Sequence, residues 1–341
     1  MEMRTLGRTG VRVSSYCLGT MMFGKTGNTD RGECQAIVDR ALEAGINFLD
    51  TADVYSLGES EEIVGQILHG RRDEVVLATK FFNPMDRDPN HRGASRRWIV
   101  KACEDSLRRL RTDYIDLYQV HRLDEHTDLD ETLSALSDLV REGKIRAIGT
   151  STWPAEWMVE AHWVAKTRGH VTPRCEQPPY SIFVRGPERD VFPTAVRQGM
   201  GVIVWSPLNS GWLTGKYRSA DVAPEGSRFD RLNIGGWRLG LKGTPDKLAA
   251  LPALEKIAAD FGTDLISLSL AFTQAHPAVT STIIGPRTVG QLLSQLPGAD
   301  LELGADVLDA IDAVVPPGHT VDRADYIFEP QALRHVTARR R

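Results

Sequence analysis

The chain has 341 residues, 41% hydrophobic and 25% charged, with a formal net charge of −4 and basic residues scattered apart from an Arg339-Arg340-Arg341 end; nucleic acid is therefore not an expected partner. Cys17, Cys34, Cys103 and Cys175 are widely separated with no CxxC pair, so neither a disulfide framework nor a metal site is expected. The opening MEMRTLGRTG lacks an apolar signal core, and no run approaches the roughly 18 apolar residues of a membrane helix, so a cytoplasmic protein without a membrane partner is expected.

In chain order, Met3-Arg4-Thr5-Leu6, a turn over Gly7 to Gly10, and Val11-Arg12-Val13 read as an N-terminal hairpin. Short apolar runs then alternate with amphipathic stretches. The runs are Cys17-Leu18-Gly19, Phe48-Leu49, Val75-Val76-Leu77-Ala78, Ile115 to Tyr118, Ile145 to Gly149, Arg174-Cys175-Glu176, Val202 to Trp205 and Thr282-Ile283-Ile284, eight candidate strands in all. Between them lie helical patterns such as RGECQAIVDRALEAG, SEEIVGQILHG, SRRWIVKACEDSLRRL and LDETLSALSDLVREGK, several closing on a glycine suited to a helix C-cap. Strand then helix, eight times with short connections, predicts an α/β fold, a (β/α)₈ TIM barrel, built as one domain over 1–341. A doubly wound sheet is the competitor, weakened because Gly19-Thr20-Met21-Met22-Phe23-Gly24 after the first strand is not GxGxxG. Two segments exceed ordinary barrel loops: Ser206 to Pro245, rich in Gly and Trp, and 316–341, which carries Tyr326 and Phe328 and is expected near the substrate pocket.

Active sites of such barrels lie at the C-terminal ends of the strands. There the sequence places Asp50, with Tyr55 in the loop after it, Lys80 at the end of VVLATK, and His121 at the end of YIDLYQVH. Singly, each has an ordinary structural reading: a capping carboxylate, a half-buried aromatic, a snorkelling lysine, a core histidine. Four on three consecutive strands are better explained by chemistry. A free phenol titrates near pH 10, too high for acid-base work at neutral pH, but a neighbouring ammonium stabilises its phenolate form. Lys80 supplies that charge, Asp50 pairs with Lys80 and so offsets its own burial, and His121 is placed to donate a hydrogen bond to a substrate carbonyl. No covalent nucleophile is evident, so the reaction calls for an external reductant.

The stretches LGTMMFG, GINFLDTADVYSLGESEEIVGQIL, VVLATK, YIDLYQVHRLD, GKIRAIGTSTW, VIVWSPLNSGWLTGKY and TIIGPRTVGQL, in this order, strongly resemble the aldo-keto reductase superfamily. The resemblance implies a (β/α)₈ barrel that binds NADP(H) in extended form and reduces an aldehyde or ketone by hydride transfer. By position Tyr55 matches the general acid, Lys80 and Asp50 its tuning partners, and His121 the substrate-orienting residue. Gly19, Thr20, Met21 and Asp50 fall against the cofactor. Ser151, Thr152 and Gln177 match the nicotinamide carboxamide contacts, although Thr152 stands where Asn is common and has one donor instead of two. Trp205 matches the aromatic that stacks on the nicotinamide.

The same resemblance makes Ser206, Pro207, Leu208, Asn209, Ser210 and Gly211 the loop around the pyrophosphate, with Lys216 beside it. Gly285 and Arg287 match the 2′-phosphate site, Gln291 a neighbouring contact, and Gln295 the adenine contact where Asn is typical. A guanidinium gains far more from a phosphate dianion than from a ribose hydroxyl, which favours NADP(H) over NAD(H). Met21, Phe23, Phe82, Trp153 and the C-terminal aromatics are the expected rim of a pocket for an apolar or ring-shaped carbonyl or alcohol substrate. The alternative is a cofactor-sensing regulatory protein with slow turnover; a homo-oligomer is compatible with either.

Overall fold

The computed structural model describes residues 1–219, 222–231 and 244–326; Phe328 and the rest of 327–341 lie outside the described residues. Two strands, β1 (Met3–Thr5) and β2 (Arg12–Ser14), form an antiparallel hairpin with Met3 opposite Ser14. Eight parallel strands then close into a barrel: β3 (Tyr16–Gly19), β4 (Phe48–Asp50), β5 (Val76–Phe81), β6 (Ile115–Val120), β7 (Ile145–Ser151), β8 (Cys175–Gln177), β9 (Gly201–Val204) and β10 (Ser281–Ile284). Pairing of β10 back onto β3, Ile283 beside Cys17, excludes the open doubly wound sheet.

The described helices are α1 (Arg31–Glu43), α2 (Glu59–Ile67), α3 (Arg96–Leu110), α4 (Leu129–Arg141), α5 (Ala155–Arg168), α6 (Val191–Gln198), α7 (Arg228–Arg231), α8 (Thr244–Asp260), α9 (Leu265–Ala275), α10 (Val289–Gln295) and α11 (Ala305–Val314). Their starts follow the capping chemistry of the sequence. Asp30 accepts from the Gly32 and Glu33 amides before α1, whose buried Cys34, Ile37, Val38 and Ala41 recur at helical spacing. Ser95 accepts from the Trp98 amide before α3. Among the described helices, none is long and apolar enough to cross a membrane.

Inside the barrel each strand contributes one residue to an apolar layer: Cys17, Phe48, Ala78, Leu117, Ala147, Cys175, Ile203 and Ile283. Leu6 and Val13 of the hairpin pack against this layer and close the N-terminal end. Because side chains alternate along a strand, the next inward positions lie two residues on: Gly19, Asp50, Lys80, Gln119, Gly149 and Gln177. Glycine at 149 has a steric cause, since a Cβ there would sit 2.8 Å from Gln119 Cγ. A polar layer thus rests directly on the apolar one.

Two strand ends extend beyond the apolar runs. β5 continues through Phe81, so Lys80 is inside the strand, paired in register with Gln119, and β7 continues to Ser151. Of the long segment after β9, Asn209–Thr214 forms tight turns, and α8 already begins at Thr244, which puts Pro245 in a helix.

Helix α2 lies against the C-terminal end of α3 through Gly65, where a Cβ would stand 2.4 Å from the Arg109 carbonyl oxygen. Backbone cannot yield as a flexible side chain can. Gly65→Ala is expected to destabilise the fold by about 1–3 kcal/mol through overpacking, against the gain of helix propensity that alanine otherwise brings. Urea denaturation of the two proteins measures the difference; an unchanged or raised midpoint would show that the two helices separate freely.

Candidate active site

Lys80 is fully buried, and its ammonium donates to Asp50 Oδ2 at 2.5 Å, to the Thr51 carbonyl at 2.7 Å and to the Tyr55 hydroxyl at 3.3 Å. Burial opposes this charge most strongly of any one influence, but the Asp50 carboxylate and Tyr55 together outweigh it and hold the lysine pKa above its ordinary value. The other carboxylate oxygen of Asp50 accepts from Gln119 Nε2 at 3.1 Å and Gln177 Nε2 at 2.9 Å. The cation that meets the buried Asp50 is therefore Lys80, as the sequence implies. The two glutamine donors come from β6 and β8.

Tyr55 opens a tight turn in which Ser56 and Leu57 have φ of 49° and 55°, a left-handed backbone that non-glycine residues seldom adopt. His121 meets the Tyr55 ring edge-on at 5.9 Å between centroids. Burial, with the charges of Lys80 and Arg122, pushes the imidazole pKa well below its ordinary value, so the ring is neutral. Asn83 Nδ2 donates to His121 Nδ1 at 3.0 Å, which leaves the ring proton on Nε2. Tyr55, His121 and Asp50 border one cavity of about 570 Å³, while Lys80 lies behind its wall.

The cavity runs on past Trp205 and the Ser206–Gly211 loop to Gly285, Arg287 and Gln291, ending at Gln295. Gly19, Met21, Ser151, Gln177, Pro207, Leu208 and Lys216 also line it. Three features fit an extended dinucleotide. Trp205 Nε1 and Gln295 Oε1 are buried with no partner among the described residues; a Cβ at Gly285 would meet only open space; and Gly211, at φ 97°, gives room for the Lys216 ammonium, which a Cβ would meet at 3.0 Å. Arg287 is half-buried and has no ion pair among the described residues; its backbone is braced by Asn28 Nδ2 and by Gln291 Oε1, each at 2.8 Å.

Several expected contacts lie elsewhere. Thr20 is buried with its hydroxyl 3.0 Å from Ser60 Oγ, and Asn209 Nδ2 donates to Asp325 at 2.9 Å, so neither lines the cavity. Thr152, at φ 58°, accepts from Arg122 and is likewise off the wall. Of the expected rim, Met21 lines the cavity, but Phe23 and Trp153 are buried in the core and Phe82 packs against it. Tyr326 is half-buried next to Gly186, off the cavity wall. Sequence reasoning missed Asn83, Gln119, Arg122 and Glu176. A signal existed for Gln119, which precedes His121 by two residues and so shares its strand face.

Comparison with known proteins agrees with this geometry. The model of a family described as the aldo/keto reductase family matches residues 16–316. An uncharacterized oxidoreductase of Bacillus subtilis, YrpG, is 38% identical over 93% of this chain and 97% of its own. A probable voltage-gated potassium channel subunit beta of Oryza sativa is 36% identical over 92% and 97%. The aldo-keto reductase YhdN of Bacillus subtilis is 35% identical over 87% and 89%.

Beside the site, Glu176 is buried between the Thr150 hydroxyl, which donates to one carboxylate oxygen, and the Trp153 amide, which donates to the other at 3.0 Å. Burial outweighs these bonds and pushes its pKa up to about 7 from an ordinary 4.5. Between those values the folded state holds a proton that the unfolded chain has released, so stability falls as pH rises from about 4.5 to about 7 and then levels off. Glu176→Gln, which mimics the protonated acid, should remove this slope. The variant should gain on the order of 3 kcal/mol relative to wild type between pH 5 and pH 8. Urea midpoints across that range test it, and parallel curves would place the titration elsewhere.

Proposed function

The chain belongs to the aldo/keto reductase family, an oxidoreductase family, and on that premise we propose that it is an NADP(H)-dependent reductase of aldehydes or ketones with Tyr55 as general acid. The observation that carries this reading is the Tyr55 hydroxyl, on the wall of the cavity and within hydrogen-bond reach of the buried, charge-paired ammonium behind it. When bound, NADPH supplies the hydride to the carbonyl carbon. The carbonyl oxygen, seated between Tyr55 and His121, takes the phenol proton as charge develops on it. Lys80, kept charged and aimed by Asp50, stabilises the phenolate left behind. The His121 Nε2–H donates to the same oxygen and orients it.

Gln177 contributes Oε1 to the nicotinamide end, since both glutamine donor contacts are taken by Asp50 and Gln119. Ser151 presents its hydroxyl oxygen, whose proton goes to the Gln177 carbonyl at 2.9 Å. Trp205 lines the nicotinamide stack, the Ser206–Gly211 loop and Lys216 the pyrophosphate, Gly285, Arg287 and Gln291 the 2′-phosphate, and Gln295 the adenine. We read 1–341 as one domain. The four cysteines are free thiols in buried positions, which fits the reducing cytoplasm as its location. A second reading, a regulatory subunit with slow turnover, is favoured by relatives named as potassium channel subunits beta. Turnover with an activated aldehyde such as 4-nitrobenzaldehyde separates the two, and the complete Asp50–Lys80–Tyr55–His121 geometry supports turnover.

Tyr55→Phe is expected to lower carbonyl reduction by about 10²–10⁴-fold while NADPH binding changes little, because only the proton donor is removed. Near-normal turnover would exclude Tyr55 as the acid. For cofactor choice, a charge-assisted hydrogen bond of roughly 1.5–3 kcal/mol makes Arg287→Ala cost about ten- to a hundred-fold in NADPH affinity and little in NADH affinity. Fluorescence titration with both cofactors reads the difference, and equal losses would mean that Arg287 acts only through packing.

A further inference from the structure

Among the described residues four cations meet or back the cavity, and three have an employment in the reading above. Lys80 is paired with Asp50, Lys216 lies at the pyrophosphate loop, and Arg287 at the far end. Arg122 has none. It follows His121 directly, lines the cavity, and is held by one nitrogen, which donates to the His121 carbonyl at 2.6 Å and to Thr152 Oγ1 at 3.3 Å. Its guanidinium carbon stands 6.0 Å from the Trp205 ring centroid, at the end of the cavity where Tyr55 and His121 converge.

An arginine in such a position ordinarily has a carboxylate beside it. Among the described residues no acid lies within ion-pair distance of Arg122, and Asp50, the single carboxylate on the cavity wall, is spent on Lys80. Burial depresses the guanidinium pKa, and the groups acting in the other direction are Tyr55 and Glu176, a phenol and a carboxyl itself half-neutral near pH 7. The remaining Nε and second terminal nitrogen form the planar fork that matches the two oxygens of an oxyanion. The fork is anchored at one corner, and its other two nitrogens have no partner among the described residues.

We propose that Arg122 is the specificity-determining residue of the substrate pocket and selects carbonyl compounds that also carry an oxyanion, a carboxylate or a phosphate, for its free guanidinium edge. The inference rests on the carbonyl-reductase reading. A neutral carbonyl compound leaves the guanidinium unpaired inside the cavity, whereas an anionic one satisfies it as the carbonyl reaches Tyr55.

Three aldehydes of one ring test this at saturating NADPH: 4-carboxybenzaldehyde, its methyl ester, and 4-formylphenyl phosphate. In wild type, kcat/KM for at least one anion is expected to exceed that for the ester; which anion leads tells carboxylate from phosphate. In Arg122→Met the anion-to-ester ratio should fall about ten- to a hundred-fold, mainly through KM, as loss of a charge-assisted bidentate contact requires. Arg122→Lys, which keeps the charge but loses the fork, should recover part of it. Wild type preferring the ester over both anions would overturn the proposal whether or not the variants fold. So would a ratio unchanged in Arg122→Met, including the case in which NADPH affinity falls instead, which would make Arg122 a cofactor ligand. Turnover of the ester alone overturns only the role of Arg122; no turnover of any of the three overturns the reductase reading and this inference with it.

Discussion

The structure depends on one buried ion pair. Lys80 has no solvent exposure and Asp50 almost none, and an isolated charge in such surroundings costs many kcal/mol. The pair persists because every face of it is met: Gln119 and Gln177 on the carboxylate, the Thr51 carbonyl and the Tyr55 hydroxyl on the ammonium. Losing one member would leave the other uncompensated, typically at 3–5 kcal/mol. The interaction therefore ties β4, β5, β6 and β8 together at one level of the barrel. It also fixes the distance from the ammonium to the phenol.

The layer beneath gives this arrangement its footing. Eight small or apolar side chains, one from each strand, and two from the hairpin fill the lower barrel, so the polar layer can face only upward. Backbone strain is distributed in the same sense. Apart from Arg111, which ends α3, the non-glycine residues with positive φ among those described are Ser56, Leu57, Phe82, Thr152, Ser206, Asn209 and Ser210, all in loops after strand C-terminal ends. Turns at the opposite face, at Gly45, Gly143 and Gly199, use glycine and avoid that cost. Strained non-glycine backbone gathered on one face is what an overdetermined functional site looks like.

Electrostatically the cavity is divided. Arg287 and Lys216 line one part of it; elsewhere on the wall stand the neutral imidazole of His121 and the guanidinium of Arg122, with the paired Lys80 behind them. A neutral His121 keeps a single ring N–H, on Nε2, beside the Tyr55 ring.

How much of this was legible in the chain follows from which interactions are local. Alternation of apolar runs and amphipathic stretches records the strand-helix order directly, since the periods of 2 and 3.6 are properties of neighbours in sequence. Asp50, Tyr55, Lys80 and His121 stood out because each lies near or just beyond the C-terminal end of a strand, in a short stretch whose chemistry is unusual in its own few residues. Gln119, Asn83, Arg122 and Glu176 did not, because a glutamine inside a strand becomes a ligand of Asp50 only when the strands close in one register, Lys80 level with Gln119 and Ser151 level with Gln177. The expected rim shows the same limit, for Phe23 and Trp153 are aromatic residues in the right loops whose rings turn inward to the core. The sequence by itself determined the order of elements and marked out four polar groups for one end of the strands; closure of the barrel decided which side chains meet, because register across strands is set by packing between residues far apart in the chain.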